Sequence, residues 1–255
     1  PQADGQATMA TSFSAFPFTV RVNGRGVAMA GISTVGTRPE YRRQGLVRKI
    51  MTRAFAEQRE RGQSIAGLWA SQAAIYQRYG FAPAGALREY RVDTTDIRLL
   101  MGSDDLPVQR FEGVEAFEAV RALYKDFIAQ RTGYLHRSKS LWLNNVFAPP
   151  VEDGPVYVAL VGSVSAPTGY VVYTLRAQRV QHRARAQEIR IRDLAWLDRS
   201  AYAALWQYLA RHDLVGRVVW STAPMDDPAP DLFIEPRLLY AQDLEGTWWR
   251  LVDVP

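Results

Sequence analysis

Arg42-Arg43-Gln44-Gly45-Leu46-Val47 is the stretch whose residue types best suit capture of an anion. It follows a run with strand character and opens a run with helical apolar spacing. The first amides of a helix have no partner within it and point outward along the axis. The helix dipole adds partial positive charge at the same end. Gly45 has no side chain to hold an anion off those amides, and Arg42 and Arg43 add forked donors suited to phosphate. A diphosphate is the expected occupant. Other chemistries find less support. The chain has no Cys, which excludes disulfides, thiolate zinc sites and a Cys nucleophile and fits the reducing cytoplasm. His136, His182 and His212 are too widely spaced to pair as ligands on one helix, so no metal is expected. The formal charge is +5, but all but three of the 31 basic residues are Arg, a bias that genome composition also produces. Basic residues are not interleaved with base-stacking aromatics, so no nucleic-acid partner is expected.

The elements around this stretch read as alternating strands and helices. Phe16, Phe18, Val20 and Val22 alternate with Pro17, Thr19 and Arg21 as in a half-buried strand. Asn23-Gly24 is a strong hairpin signal, and residues 27–37 return as the second strand, ended near Pro39. Residues 44–61 are predicted helical, with Val47, Ile50, Met51, Ala54 and Phe55 on one apolar stripe and Gly62 as the stop. Residues 64–70 read as a buried strand, Ser71 as a helix cap, residues 72–79 as a brief helix, and 81–92 as extended chain. Strands alternating with helices argue an α/β fold.

After a polar linker at residues 94–107, residues 114–130 are predicted as an amphipathic helix with acidic residues at its start. Residues 138–147 follow as a second helix. Strands are expected at 156–161, 169–176, 188–194, 217–221 and 246–254, with a helix at 200–212. The element order suggests a structural repeat of the first part without a sequence repeat. The second part has no glycine loop: it reads Ala195-Trp196-Leu197-Asp198-Arg199, and Asp198 would repel phosphate. The run Arg176, Arg179, Arg183, Arg185, Arg190 and Arg192 reads as a solvated hairpin. Residues 226–231 read as an acidic turn. No apolar run reaches the length of about 18 residues that a membrane span requires.

The first part resembles the GNAT superfamily of acetyl-CoA-dependent N-acetyltransferases. The resemblance rests on the loop at Arg42–Val47 and on Tyr76-Gln77-Arg78-Tyr79-Gly80-Phe81. GTRPEYRRQGLVRKIM, LWASQAAIYQRYGFAPA and the closing TWWRLVDVP are more specifically similar to the Eis-like (enhanced intracellular survival) branch, in which an aliphatic residue such as Val47 is accepted. The resemblance implies tandem GNAT-like units, each a mixed twisted sheet flanked by helices. Residues 1–95 would be the acetyl-CoA-binding catalytic unit, incomplete at its start, and 96–255 a second, degenerate unit. Relative to that branch the chain would lack the N-terminal start and the C-terminal sterol-carrier-like domain.

The resemblance also implies roles. Val35 and Thr37 would meet the pantetheine arm of acetyl-CoA through main-chain groups. Arg42, Arg43, Gly45, Leu46 and Val47 would bind the diphosphate, and Ser71 would reach the arm near the sulfur. Tyr76 would be the general acid, since a phenol is protonated at neutral pH and delivers its proton as charge develops; a core aromatic is the rival role for it, and Tyr79 and Phe81 are core candidates. In the Eis-like branch a terminal carboxylate serves as base, and no base is assigned here. The implied reaction moves an acetyl group to a primary amine of aminoglycoside, polyamine or lysine type. A hexameric homo-oligomer is implied, and a non-catalytic coenzyme A-binding or scaffold module is the alternative.

Overall fold

The structure is a computed structural model that describes residues 8–102, 106–178 and 186–253. Among these residues the strands form one sheet of five and one of seven. Each is a mixed sheet flanked by helices. The chain groups into two compact units, the first drawn from Pro1–Gly85, Arg131–His136 and Glu245–Pro255, the second from Ala86–Gln130 and Arg137–Leu244. No helix among the described residues is long and apolar enough to cross a membrane.

In the first unit, β1 (Thr11–Val22) and β2 (Arg25–Thr37) form the expected hairpin. Its turn residues Asn23 and Gly24 both have positive φ, 47° and 74°, as a tight turn matched to strand twist requires. The chain then runs through α1 (Leu46–Glu60) to β3 (Ile65–Leu68), which pairs parallel with β2. Gly62, at φ 68°, ends the helix as expected. Next come α2 (Ala73–Gln77) and β4 (Ala82–Pro83). A closing strand, Trp248–Leu251, fits between β3 and β4. Ile32, Met51, Ala66, Leu68, Tyr76, Phe81, Trp248 and Val252 form one buried cluster, against which Phe13, Val35, Val47 and Phe55 pack.

In the second unit, β5 (Ala86–Asp93) pairs with β10 (Val215–Pro224), and β6 (Val108–Glu112) forms the far edge. α3 (Phe117–Phe127) buries Phe117, Val120, Leu123, Tyr124 and Phe127. α4 (Lys139–Leu141), capped by Ser138, continues into a π-helical turn at Trp142–Val146 rather than one regular helix. β7 (Val156–Ser163), β8 (Ala166–Ala177) and β9 (Gln187–Trp196) make an antiparallel meander. α5 (Arg199–Ala210) then crosses to β10, parallel to β9. α6 (Ala229–Leu232), β11 (Gln242–Glu245) and the closing strand, β12, complete the chain.

Several expectations are corrected. Strand pairing places β5 in the seven-stranded sheet and β12 in the five-stranded one, so sheet membership does not follow chain order. Ser71 is not the cap of α2: Gln72 holds that position in extended conformation, without a side-chain hydrogen bond. Arg176, Arg190 and Arg192 are not simply solvated. Arg176 and Arg190 approach Asp153 at 3.7 and 3.6 Å, and Arg192 Nε donates to the Val146 carbonyl at 2.8 Å. Arg179, Arg183 and Arg185 lie outside the described residues. In the acidic turn, Asp227 faces inward and accepts from the Tyr202 hydroxyl at 2.8 Å.

Candidate active site

The loop at Arg42–Val47 takes its shape from two left-handed residues. After β2 comes a short turn at Pro39–Tyr41. Arg43 sits at φ 63° and Gly45 at φ 73°. For Arg43 that conformation stores roughly 1 kcal/mol or more of strain; glycine adopts it freely. α1 starts at Leu46, its first helical bond running from the Lys49 amide to the Gly45 carbonyl at 3.1 Å. No side chain caps this helix. Among the described residues the amides of Leu46, Val47 and Arg48 donate to no backbone carbonyl. A Cβ built on Gly45 meets nothing within 4 Å, so open space lies over the first turn. Arg42, Arg43 and Gln44 are exposed around it. Arg42 Nε donates to the Thr37 carbonyl at 3.2 Å, tying the loop to the end of β2.

The strand leading into the loop is open along one edge. β2 pairs with β3 only over Met29–Gly31 against Ile65–Gly67. Beyond Gly31 it runs on to Thr37 with β1 as its only partner strand among the described residues. Ser14 pairs with Ser33 but Ser12 with Gly36, so Thr34 and Val35 together oppose Phe13. This bulge turns β2 away from regular pairing. It is fixed by Thr34 at φ 52°, whose hydroxyl donates to Ser14 at 2.7 Å and whose carbonyl accepts from Ser12 at 2.7 Å. Val35 and Thr37 lie on this open stretch. The bulge has no signature in the sequence, because it exists only through the pairing of distant residues.

Tyr76 lies on α2 and packs in the buried cluster that contains Ile32 of β2 and Leu68 of β3. Its ring is buried, edge-on to Phe81 with centroids 6.2 Å apart. Phe81 in turn meets Phe55 at 6.1 Å. The Tyr76 hydroxyl is neither hydrogen-bonded within the described residues nor sealed from solvent. The residue thus combines the core role with an available phenol. Tyr79 is half-buried and Phe81 buried, both against the same cluster. Ser71 is exposed and its hydroxyl bonds to no described residue.

The corresponding crossover of the second unit is closed. β9, α5 and β10 repeat the parallel strand–helix–strand order of β2, α1 and β3. Here Asp198 is the helix cap, and its carboxylate accepts from the Ala201 amide at 2.7 Å. The first turn of α5 is thus satisfied by a carboxylate of the chain itself.

The comparisons with known proteins agree with this geometry. Residues 3–84 and residues 133–251 match two family descriptions, each given as an acetyltransferase (GNAT) domain. An uncharacterized N-acetyltransferase of Streptomyces coelicolor is 28% identical over 99% of this chain and 63% of its own length. The N-acetyltransferase Eis of Mycobacterium tuberculosis is 31% identical over 89% of this chain and 56% of its own. The chain therefore spans roughly three fifths of the curated relatives it matches. The crystal structure of Eis1 from Mycobacterium abscessus superposes with a TM-score of 0.80 at 27% identity, covering 97% of this chain and 63% of that one. A GCN5-related N-acetyltransferase from Anabaena variabilis has the same fold, with a TM-score of 0.80 at 24% identity over 94% of this chain and 59% of that one. With two matched acetyltransferase domains and Eis proteins among its relatives, the chain belongs to the GNAT acetyltransferase family.

Proposed function

We propose that this chain binds acetyl-CoA at the β2–α1 loop and transfers its acetyl group to a primary amine. The observation that carries the reading is the uncapped start of α1, where partnerless amides and the left-handed Gly45 leave open space for a diphosphate. The amides of Gly45, Leu46 and Val47 and the guanidinium groups of Arg42 and Arg43 hold the phosphates. Val35 and Thr37, on the open edge of β2, receive the pantetheine arm as an added strand would be received; the Thr37 carbonyl is already held by Arg42. The exposed Ser71 hydroxyl reaches the arm near its sulfur. The second unit, with Asp198 over its helix start, takes no coenzyme.

The transfer forms a C–N bond at the thioester carbonyl carbon and breaks its C–S bond. It leaves a thiolate and a surplus proton on nitrogen. Tyr76 gives its phenolic proton to the sulfur, and the nitrogen proton passes to water or back to the phenolate. The buried ring fixes the direction of the hydroxyl, and its lack of an internal hydrogen bond leaves the proton free to move. The proposed acceptor is an aminoglycoside, a polyamine or a lysine side chain, and the proposed assembly is a cytoplasmic homo-oligomer, a hexamer.

The test measures thiol release from acetyl-CoA with kanamycin, spermidine and Nα-acetyl-lysine as acceptors. At least one acceptor supports turnover, and Tyr76→Phe lowers kcat by about 10²-fold with the Kd for coenzyme A unchanged. Tight coenzyme binding with no turnover on any amine would make the chain a binding module instead.

A further inference from the structure

Arg250 lies on β12, two residues from Trp248 and so on the same face of the sheet. That face carries the cluster containing Tyr76. Arg250 Nη1 donates to the Tyr79 carbonyl. Its guanidinium carbon sits 4.2 Å from the centre of the Phe55 ring, within the range of a cation–π contact. Nε is enclosed and unpartnered among the described residues. Burial, and then the charge of Arg59, pull the pKa of Arg250 below that of an ordinary guanidinium. Partial desolvation of a cation is costly unless its contacts compensate.

Those contacts converge on the turn that carries Tyr76. α2 has only five residues, too few to be stable by its own hydrogen bonds. Its C-terminal turn is closed by bonds from the Tyr79 and Phe81 amides to the Tyr76 carbonyl, at 2.9 and 3.3 Å, and from Gly80 to Gln77 at 2.9 Å. Arg250 holds the outer carbonyl of that turn. Its flat face rests on Phe55, Phe55 on Phe81, and Phe81 on Tyr76. The guanidinium thereby joins the two ends of one chain of contacts, from the Tyr79 carbonyl round to the Tyr76 ring. Gly80 leaves room for it: φ is 78°, and a Cβ at that position would lie 2.8 Å from Arg250 Nη1.

We propose that Arg250 is a positioning residue, setting the direction of the Tyr76 hydroxyl from the strand beneath it. The inference rests on the reading of Tyr76 as the general acid. Proton delivery tolerates little error in place, since a shift of about 1 Å can cost on the order of 10² in rate. The cation is required for its fork and its flat face together; a point charge on a flexible stem supplies only part of this.

The test is a double-mutant cycle on kcat, with spermidine, kanamycin and Nα-acetyl-lysine as acceptors, and with melting temperature and coenzyme A affinity measured for every variant. Arg250→Met lowers kcat about tenfold or more, leaves Kd for coenzyme A within about twofold, and adds no further loss in a Tyr76→Phe background. Arg250→Lys restores part of the rate. Arg250→Gln, which keeps a donor for the Tyr79 carbonyl without the flat cationic fork, lowers kcat in the same non-additive way and carries the cycle if Arg250→Met does not fold. A wild-type kcat in Arg250→Met, or equal losses with and without the Tyr76 hydroxyl, overturns the positioning role while leaving the acid assignment intact. A wild-type kcat in Tyr76→Phe overturns the acid assignment itself, and the positioning role with it.

Discussion

Asp227 is a buried acid of the second unit. Its carboxyl is buried, and loss of hydration pushes its pKa up to about 6, against the lowering effect of bonds from the Tyr202 hydroxyl and the Ala229 amide. The folded state therefore takes up a proton that the unfolded chain still lacks. This contribution to stability grows as pH falls through about 6 and is absent at pH 8. His212 works in the opposite sense. Burial lowers its pKa from 6.5, so folding is weakened as pH falls below that value. Asp227→Asn removes the first effect alone. Between pH 8 and pH 5 wild-type stability is expected to gain about 1 kcal/mol on the variant, read from urea midpoints; parallel pH profiles would refute the assignment. None of this was legible in the acidic turn, because the partner of Asp227 is 25 residues distant. The start of α1 was more legible: a glycine at a helix start is a local feature, and local geometry decides it.

At the scale of elements, α1 and α5 differ at the cap and in the loop that precedes it. Gly45 leaves the first amides bare, whereas Asp198 binds the Ala201 amide. Asp198→Ala is expected to cost about 1 kcal/mol of stability, the usual value of a cap, in thermal or urea unfolding, and to leave coenzyme stoichiometry unchanged. A gain of a second coenzyme equivalent would show that the capping carboxylate alone keeps α5 closed. Helices with regular apolar spacing were legible in the sequence, as the stripe Met51, Ala54 and Phe55 shows. The brief α2 was not placed correctly. Ser71 has the right residue type for a cap, but capping depends on backbone angles, and the chain enters α2 through an extended Gln72. The π-helical turn after α4 was likewise invisible to a pattern that assumes one periodicity.

For the whole molecule, topology was the least legible level. The final strand reads as part of the second half by chain order, yet β12 pairs with β3 and β4 in the five-stranded sheet. Pairing across such sequence separations is decided by packing of Trp248 in its cluster, not by any neighbouring residue. The same sheet holds the open edge of β2, the bare start of α1 and, through Arg250, the turn of Tyr76. On the proposed function, one unit with an uncapped crossover and one with a capped crossover predict one coenzyme per chain. The direct test is calorimetric titration of coenzyme A into the wild-type chain and into Gly45→Asp. Wild type should bind one equivalent, and the variant, whose carboxylate would face the phosphates, should bind at least about tenfold more weakly. Equal affinity in the two, or two equivalents in the wild type, would contradict the assignment of the α1 start as the single diphosphate site.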